Sequence, residues 1–467
     1  MKRAAAILAC AWLAGCASVP YQPPAMPMPA AYRESHGVGA DAIARDWWRA
    51  YHDATLDALL TRIGASNQNV LKSMALLRDA RAQVSAARAD YFPTIGATAS
   101  VSSTHLSANV KGHSLAGKTT PDHLIGLGAT WEPDLFGRIG NNVDAAEDRV
   151  QASADDVAAV RLSLQAEAAI DYFGIRSLDR EAALLQQTVD AYESVLQLVT
   201  NRYRGGIAAE GDVAQAQAQV ESTRAQLADL RLARAQLLHA LATLAGEPAS
   251  TFELPGESTR ADATIALPAA PAAVPAMLLQ RRPDIAAAER RVAAANAQIG
   301  VARAAFFPTL VLNLTGGLES SGLAGWLTAP SRFWAVGPAL AATIFDGGKR
   351  QAGVDSAHAQ FDASAADYRE TVLKAVQDVE DNYAALRILD DEARSQQAAV
   401  AASGRALQQA IERYRKGAAA YLDVNVVQAA ALNDARDLEA VHRRQLAASV
   451  ALFRALGGGW DGAGDPA

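Results

Sequence analysis

Cysteine is almost missing from this 467-residue chain: there are two, Cys10 and Cys16, both near its start. A disulfide framework in the body of the protein is therefore excluded. Aromatic residues make up only 6% although half of the residues are hydrophobic, so the apolar content is largely alanine and aliphatic side chains. Such a composition suits closely packed long helices better than a β-rich or mixed globular core. No Lys/Arg block occurs and the net charge is −7, which leaves no surface for nucleic acid. Proline is absent between Pro133 and Pro248 and again between Pro338 and Pro466. No HExxH, GxSxG or paired-carboxylate site is present, so no catalytic residues, cofactor or enzymatic activity are expected.

The first residues read as a leader. Lys2 and Arg3 precede an apolar run, Ala4 to Leu13, too short to span a bilayer. The following Leu13-Ala14-Gly15-Cys16 resembles the bacterial lipobox, in which cleavage leaves the cysteine as a lipidated N-terminus. Cys10 fits that pattern less well, and an ordinary secretory signal is the alternative. Ala17 after the cysteine, rather than Asp, looks like an outer-membrane address. The sequence thus divides into a leader (1–15), a Pro-rich tether (16–40), two structural repeats (41–246 and 276–458), a breaker-rich linker (247–275) and a tail (459–467).

The repeats are an internal duplication. Ala82-Gln83-Val84 through Tyr91-Phe92-Pro93-Thr94 recurs as Ala297-Gln298-Ile299 through Phe306-Phe307-Pro308-Thr309. Arg202-Tyr203-Arg204-Gly205-Gly206 recurs as Arg413-Tyr414-Arg415-Lys416-Gly417, and Asp212-Val213 as Asp423-Val424, in the same order.

Within each repeat two kinds of segment alternate. Asn141–Arg204 contains one glycine, Gly174, and no proline. As a helix it is a rod of about 95 Å, longer than a globular domain. In the return segment Val213, Ala216, Val220, Thr223, Leu227, Leu230, Leu237, Leu241 and Leu244 keep a 3-4 spacing, broken only by Arg234; this predicts a coiled-coil seam. The other segments alternate with period two, predicting strands near 91–103, 124–132, 307–317 and 333–345, each with one apolar and one small or polar face. Four strands cannot close a barrel, and open edges cannot face lipid. The fold class expected is mainly α with a pair of β-hairpins, completed by further copies of the chain.

Several motifs together resemble the outer-membrane factors of resistance-nodulation-division (RND) efflux systems, the NodT/OprM-like lipoproteins related to TolC. They are Arg281-Arg282-Pro283-Asp284-Ile285, Ala295-Asn296-Ala297-Gln298-Ile299-Gly300, Phe307-Pro308-Thr309, Trp131-Glu132-Pro133-Asp134-Leu135-Phe136-Gly137-Arg138 and Asp46-Trp47-Trp48. The resemblance implies a homotrimer with a twelve-stranded outer-membrane β-barrel and a periplasmic α-barrel. It also implies docking to a periplasmic adaptor and, through it, to an inner-membrane RND transporter. The function implied is a passive exit duct for small molecules, drugs or toxic compounds; a secretion or metal-efflux channel, or a coiled-coil spacer lipoprotein, are the alternatives. At the periplasmic tip, Arg202, Tyr203, Gly205, Gly206, Asp212, Arg413, Tyr414, Gly417 and Asp423 become candidates for adaptor contact and gating, and Cys16 for lipidation. One departure stands out: Val426 and Ala429 occupy the positions where many relatives carry a constriction acid and arginine.

Gly112-His113-Ser114-Leu115-Ala116-Gly117-Lys118-Thr119 matches a phosphate-binding loop, which would make the chain a nucleotide-binding ATPase. Such a loop must open a helix, whereas here Pro121 and a predicted strand follow. His105, His113 and His123 lack metal-ligand spacing, and Met26, Met28, Met74 and Met277 form no soft-metal cluster, so no metal is expected.

Overall fold

A computed structural model describes residues 21–34, 43–254 and 265–462. The leader, Cys16, most of the tether and part of the linker lie outside these residues. After a 3-10 turn at Trp47–Tyr51 come α1 (Ala54–Ser66) and α2 (Gln68–Ala89), then β1 (Thr94–His105) and β2 (Thr119–Trp131). The long α3 (Arg138–Arg204) and its return α4 (Glu210–Ala245) complete the first repeat. The second repeats this order: the short α5 (Leu278–Arg281), α6 (Pro283–Ala304), β3 (Thr309–Ser320), β4 (Arg332–Ala341), α7 (Lys349–Arg415) and α8 (Tyr421–Ala455). The long helices α3 and α7 have the same length, 67 residues, and α2 and α6 both have 22. The duplication seen in the residues is therefore a duplication of structure. Among the described residues no helix is long and apolar enough to cross a membrane.

The chain forms two compact units. One takes in Leu76–Ser153 and Ala287–Tyr368 and carries the sheet. Its four antiparallel strands run in the order β1-β2-β3-β4. All four strands are shifted from the expected limits by a few residues, most at the start of β2 and the end of β4. β2 begins at Thr119, because Thr119 and His105 still pair and bond side chain to side chain at 2.9 Å. β4 stops at Ala341, short of Ile344, because Asp346 accepts the Gly348 and Arg350 backbone N–H groups and starts α7. Gly112–Lys118 leads into β2, not a helix, so the phosphate-loop reading fails on its required context. In the same unit, Ala87, Ile139, Val143 and Ala146 pack together. A Cβ on Gly300 would lie 2.3 Å from Asn141 Oδ1, which explains glycine in that close approach of α6 to α3.

The other unit comprises Met26–Ala75, Ala154–Ala286 and Arg369–Ala467. Trp47, Trp48 and Tyr51 are buried with Leu56, Leu60, Phe173, Leu241 and Phe453 in its largest core. Asp53 caps α1 by accepting Thr55 and Leu56 N–H groups, and it also accepts the Tyr172 hydroxyl at 2.7 Å. The seam expected in α4 is present: Ala216, Val220, Thr223, Leu227, Leu230, Leu241 and Leu244 are buried. Arg234, which interrupts the spacing, donates to Asp179 of α3 at 2.6 Å, so a charge pair replaces one apolar rung. The two repeats are tied by Arg180 to Glu439 at 3.0 Å and Arg436 to Glu181 at 2.7 Å.

Candidate functional site

The pairing register determines which side chains share a face of the sheet, since directly opposed residues project to the same side. Ile95, Ala97 and Ala99 oppose Ala129, Leu127 and Ile125. Those residues in turn oppose Leu314, Gly316 and Leu318 on β3, and Leu314 and Leu310 oppose Val336 and Leu340 on β4. The four apolar rows therefore merge into one continuous face. Most of its large side chains are open to the surroundings, from 42% exposure at Ile125 to 76% at Trp334, with Leu310 and Leu318 half-buried. The other face joins Gly96, Gly128 and Thr315, then Thr98, Gly126 and Gly317. Gly317 is pressed against the neighbouring strand, where a Cβ would lie 2.1 Å from the Ile125 carbonyl oxygen. Where the strands begin, Phe92, Phe306 and Phe307 are exposed, and Phe307 stacks on Phe136 with ring centroids 4.8 Å apart. Among the described residues both outer strands keep a free edge. A sheet with an apolar outer face, a small or polar inner face and two free edges is a fraction of a membrane barrel.

The candidate residues of the long-helix turns lie in the helical unit. Both turns end their helix in the same way. Gly206 has φ 72° and Gly417 φ 75°. Ile207 N–H returns to the Arg202 carbonyl at 2.8 Å, and Ala418 N–H to the Arg413 carbonyl at 2.8 Å. These are Schellman closures, whose left-handed residue favours glycine; Gly205 in the first turn has Lys416 as its counterpart and needs no special backbone. Asp212 and Asp423 each accept the backbone N–H three residues earlier, from Ala209 at 3.3 Å and Ala420 at 3.1 Å, and so cap α4 and α8.

Tyr414 is 4% exposed and packs with Val195, Val199, Ala216, Tyr421 and Val424. Arg202 holds it from outside: the guanidinium carbon is 4.6 Å from the Tyr414 ring centroid, and Nη1 donates to the Tyr414 carbonyl at 2.5 Å. Tyr203 and Arg413 face outward. Burial pushes the Tyr421 hydroxyl up to about 12, with Tyr192, Tyr414 and Asp212 adding to it. Burial also raises Tyr414, against the lowering charge of Arg202. Both phenols are neutral over the physiological range, so they do not act as a pH switch.

Two features of the turns escaped the sequence reading. Tyr421 anchors the cluster, and Leu422 and Val426 are exposed, at 56% and 60%, on the opposite side of α8. The signal was available in the duplication, because the equivalent positions of α4 are Gly211 and Gln215.

The family model for outer membrane efflux proteins matches residues 59–247 and 274–458, one match per repeat. Outer membrane protein OprJ of Pseudomonas aeruginosa is 33% identical over 98% of this chain and 95% of its own. The cation efflux system protein CusC of Escherichia coli is 31% identical over 96% of both. The solved structure of the outer-membrane channel OprN superposes with a TM-score of 0.89 at 28% identity, covering 96% of this chain and all of that one. The TolC-like fold and outer-membrane location expected from the sequence hold, and the protein is a transport component rather than an enzyme. The chain belongs to the outer membrane efflux protein family and is an outer-membrane efflux channel.

Proposed function

We propose that three copies of this chain form a twelve-stranded barrel in the outer membrane and a helical tunnel in the periplasm, the exit duct of a tripartite pump. The observation that carries this is the four-stranded sheet, with one exposed apolar face and both edges free. Two copies would give eight strands, whose interior side chains would fill the barrel; three leave a lumen. A periplasmic adaptor docks at the turns of the long helices and links the duct to an inner-membrane transporter of the RND type. The cargo is small molecules, drugs or toxic compounds. Cys16 carries the lipid anchor.

Arg202, Tyr414 and the two glycine turns keep the tunnel end closed, and Leu422 and Val426 line the closed end with apolar surface. Water leaves a narrow apolar constriction readily, so closure there needs no charged ring. Asp423 caps α8 through Ala420 N–H and so supports the turn. Native mass spectrometry of detergent-extracted protein tests the assembly: three copies per particle are expected, and a monomer or dimer sinks the proposal. Labelling with a clickable palmitate tests the anchor: Cys16→Ser loses the label, and retention of the label by that variant would refute it.

A further inference from the structure

The two turns are built alike but engaged differently. Arg202 reaches beyond its own turn to the ring and carbonyl of Tyr414. Its counterpart Arg413 has no ring within reach among the described residues, and its Nη2 meets only the Ala418 carbonyl of its own turn, at 3.5 Å. The counterpart of Tyr414 is Tyr203, which is 43% exposed where Tyr414 is 4%. The carbonyls differ in the same sense. That of Tyr414 accepts both Gly417 N–H, at 3.0 Å, and Arg202, whereas that of Tyr203 accepts Gly206 N–H at 2.9 Å and keeps a second lone pair. One chain therefore holds a complete arginine–tyrosine clasp running from its first repeat to its second, together with two unmated halves, Arg413 and Tyr203.

A ring closed from copies of a two-repeat chain alternates first and second repeats. Each second-repeat turn is then followed by the first-repeat turn of the next copy, in the same sense of rotation. We propose that Arg413 clasps Tyr203 of the partner subunit as Arg202 clasps Tyr414 within the chain. The guanidinium lies over the phenol ring and donates to the free lone pair of that tyrosine's carbonyl. Six like clasps, three within chains and three between them, then hold the closed end of the duct. The interface is a second copy of this chain, and the inference rests on the ring proposed above.

The test uses the full-length protein in outer membranes. Tyr203→Cys in one tagged copy and Arg413→Cys in a differently tagged copy are expressed together, so that a bismaleimide with a span of about 10 Å can join only different copies. Both positions are exposed, so neither change disturbs the fold. A covalent species carrying both tags is expected, and neither single variant expressed alone yields a thiol-linked dimer. In planar bilayers R413A should raise the open probability about as much as R202A. The double variant Y203A/R413A should raise it no further than either single variant, because both changes remove one clasp. Amine-reactive crosslinking of the wild-type chain reports the ring independently. Linked oligomers there without a thiol link between the tagged copies overturn the clasp and leave the ring standing. No oligomers in either experiment overturn the ring itself, and the clasp with it.

Discussion

Replacing Arg202 with alanine isolates the clasp that one chain contains. The perturbation removes a guanidinium 4.6 Å from the Tyr414 ring centroid and a charged donor 2.5 Å from the Tyr414 carbonyl. A cation over a phenol ring contributes about 0.5–1 kcal/mol at an exposed site. A hydrogen bond from a charged group adds about 1.5–3 kcal/mol. Arg202 is half-buried, so the lower end of each range applies, about 2 kcal/mol in all. Nothing in the Schellman closure itself is lost, since Gly417 N–H still bonds the same carbonyl. The turn should therefore open locally about 30-fold more often without global unfolding. Native-state hydrogen exchange read by mass spectrometry on peptides spanning 200–210 and 411–420 measures this directly. Exchange at Gly417 and Ala418 should quicken by about that factor, with Arg202→Lys intermediate because it keeps the charge but loses the planar fork. Unchanged exchange in R202A would refute the claim that this contact closes the turn.

The Tyr414 hydroxyl is buried without a hydrogen-bond partner, so Tyr414→Phe should leave thermal stability unchanged or slightly higher, while Tyr414→Ala should cost about 3–5 kcal/mol by denaturant titration. Leu127→Arg places a charge on the exposed apolar face and should cost about 2–4 kcal/mol of refolding free energy in lipid vesicles; Gly96→Ser on the other face, where an added Cβ meets nothing within 4 Å, should be near neutral. Burial, and then the charge of Glu167, push Asp171 up to about 6. Because its folded value lies above its unfolded one, the stability it contributes is full below about pH 4 and is lost as pH rises through about 6. Asp171→Asn should flatten that part of the pH–stability curve and gain about 1 kcal/mol at pH 7, the unscreened value of about 3 being reduced for a half-exposed carboxyl. Val426→Asp should make closed-state conductance sensitive to multivalent cations in planar bilayers, and an equal response in the wild type would argue against an apolar constriction.

Regular features of this fold are legible in the residues because they are periodic. The strand alternation around Ile95–Val101 and Leu310–Leu314 reports which residues share a face, and the 3-4 spacing of α4 reports which side of that helix is covered. The glycines at 206 and 417 mark where a left-handed residue ends a helix. Strand limits were less legible: β2 extends back to Thr119 through a cross-strand pair with His105, a contact that no local pattern encodes. The cap made by Asp423 was not legible for a related reason. A carboxylate three residues into a helix can cap it or leave its oxygens to solvent, and only the bond from Ala420 N–H shows that Asp423 caps. The buried Tyr414 and exposed Tyr203 have the same local sequence, Arg-Tyr-Arg, so their difference arises wholly from what packs against each turn.

The central claim is that this chain forms a duct through the outer membrane, and single-channel current across planar bilayers tests it most directly. Purified full-length protein should insert to give discrete conductance steps, with longer openings in R202A than in the wild type. A protein that assembles and inserts yet passes no current, in the wild type and in R202A alike, would contradict the account.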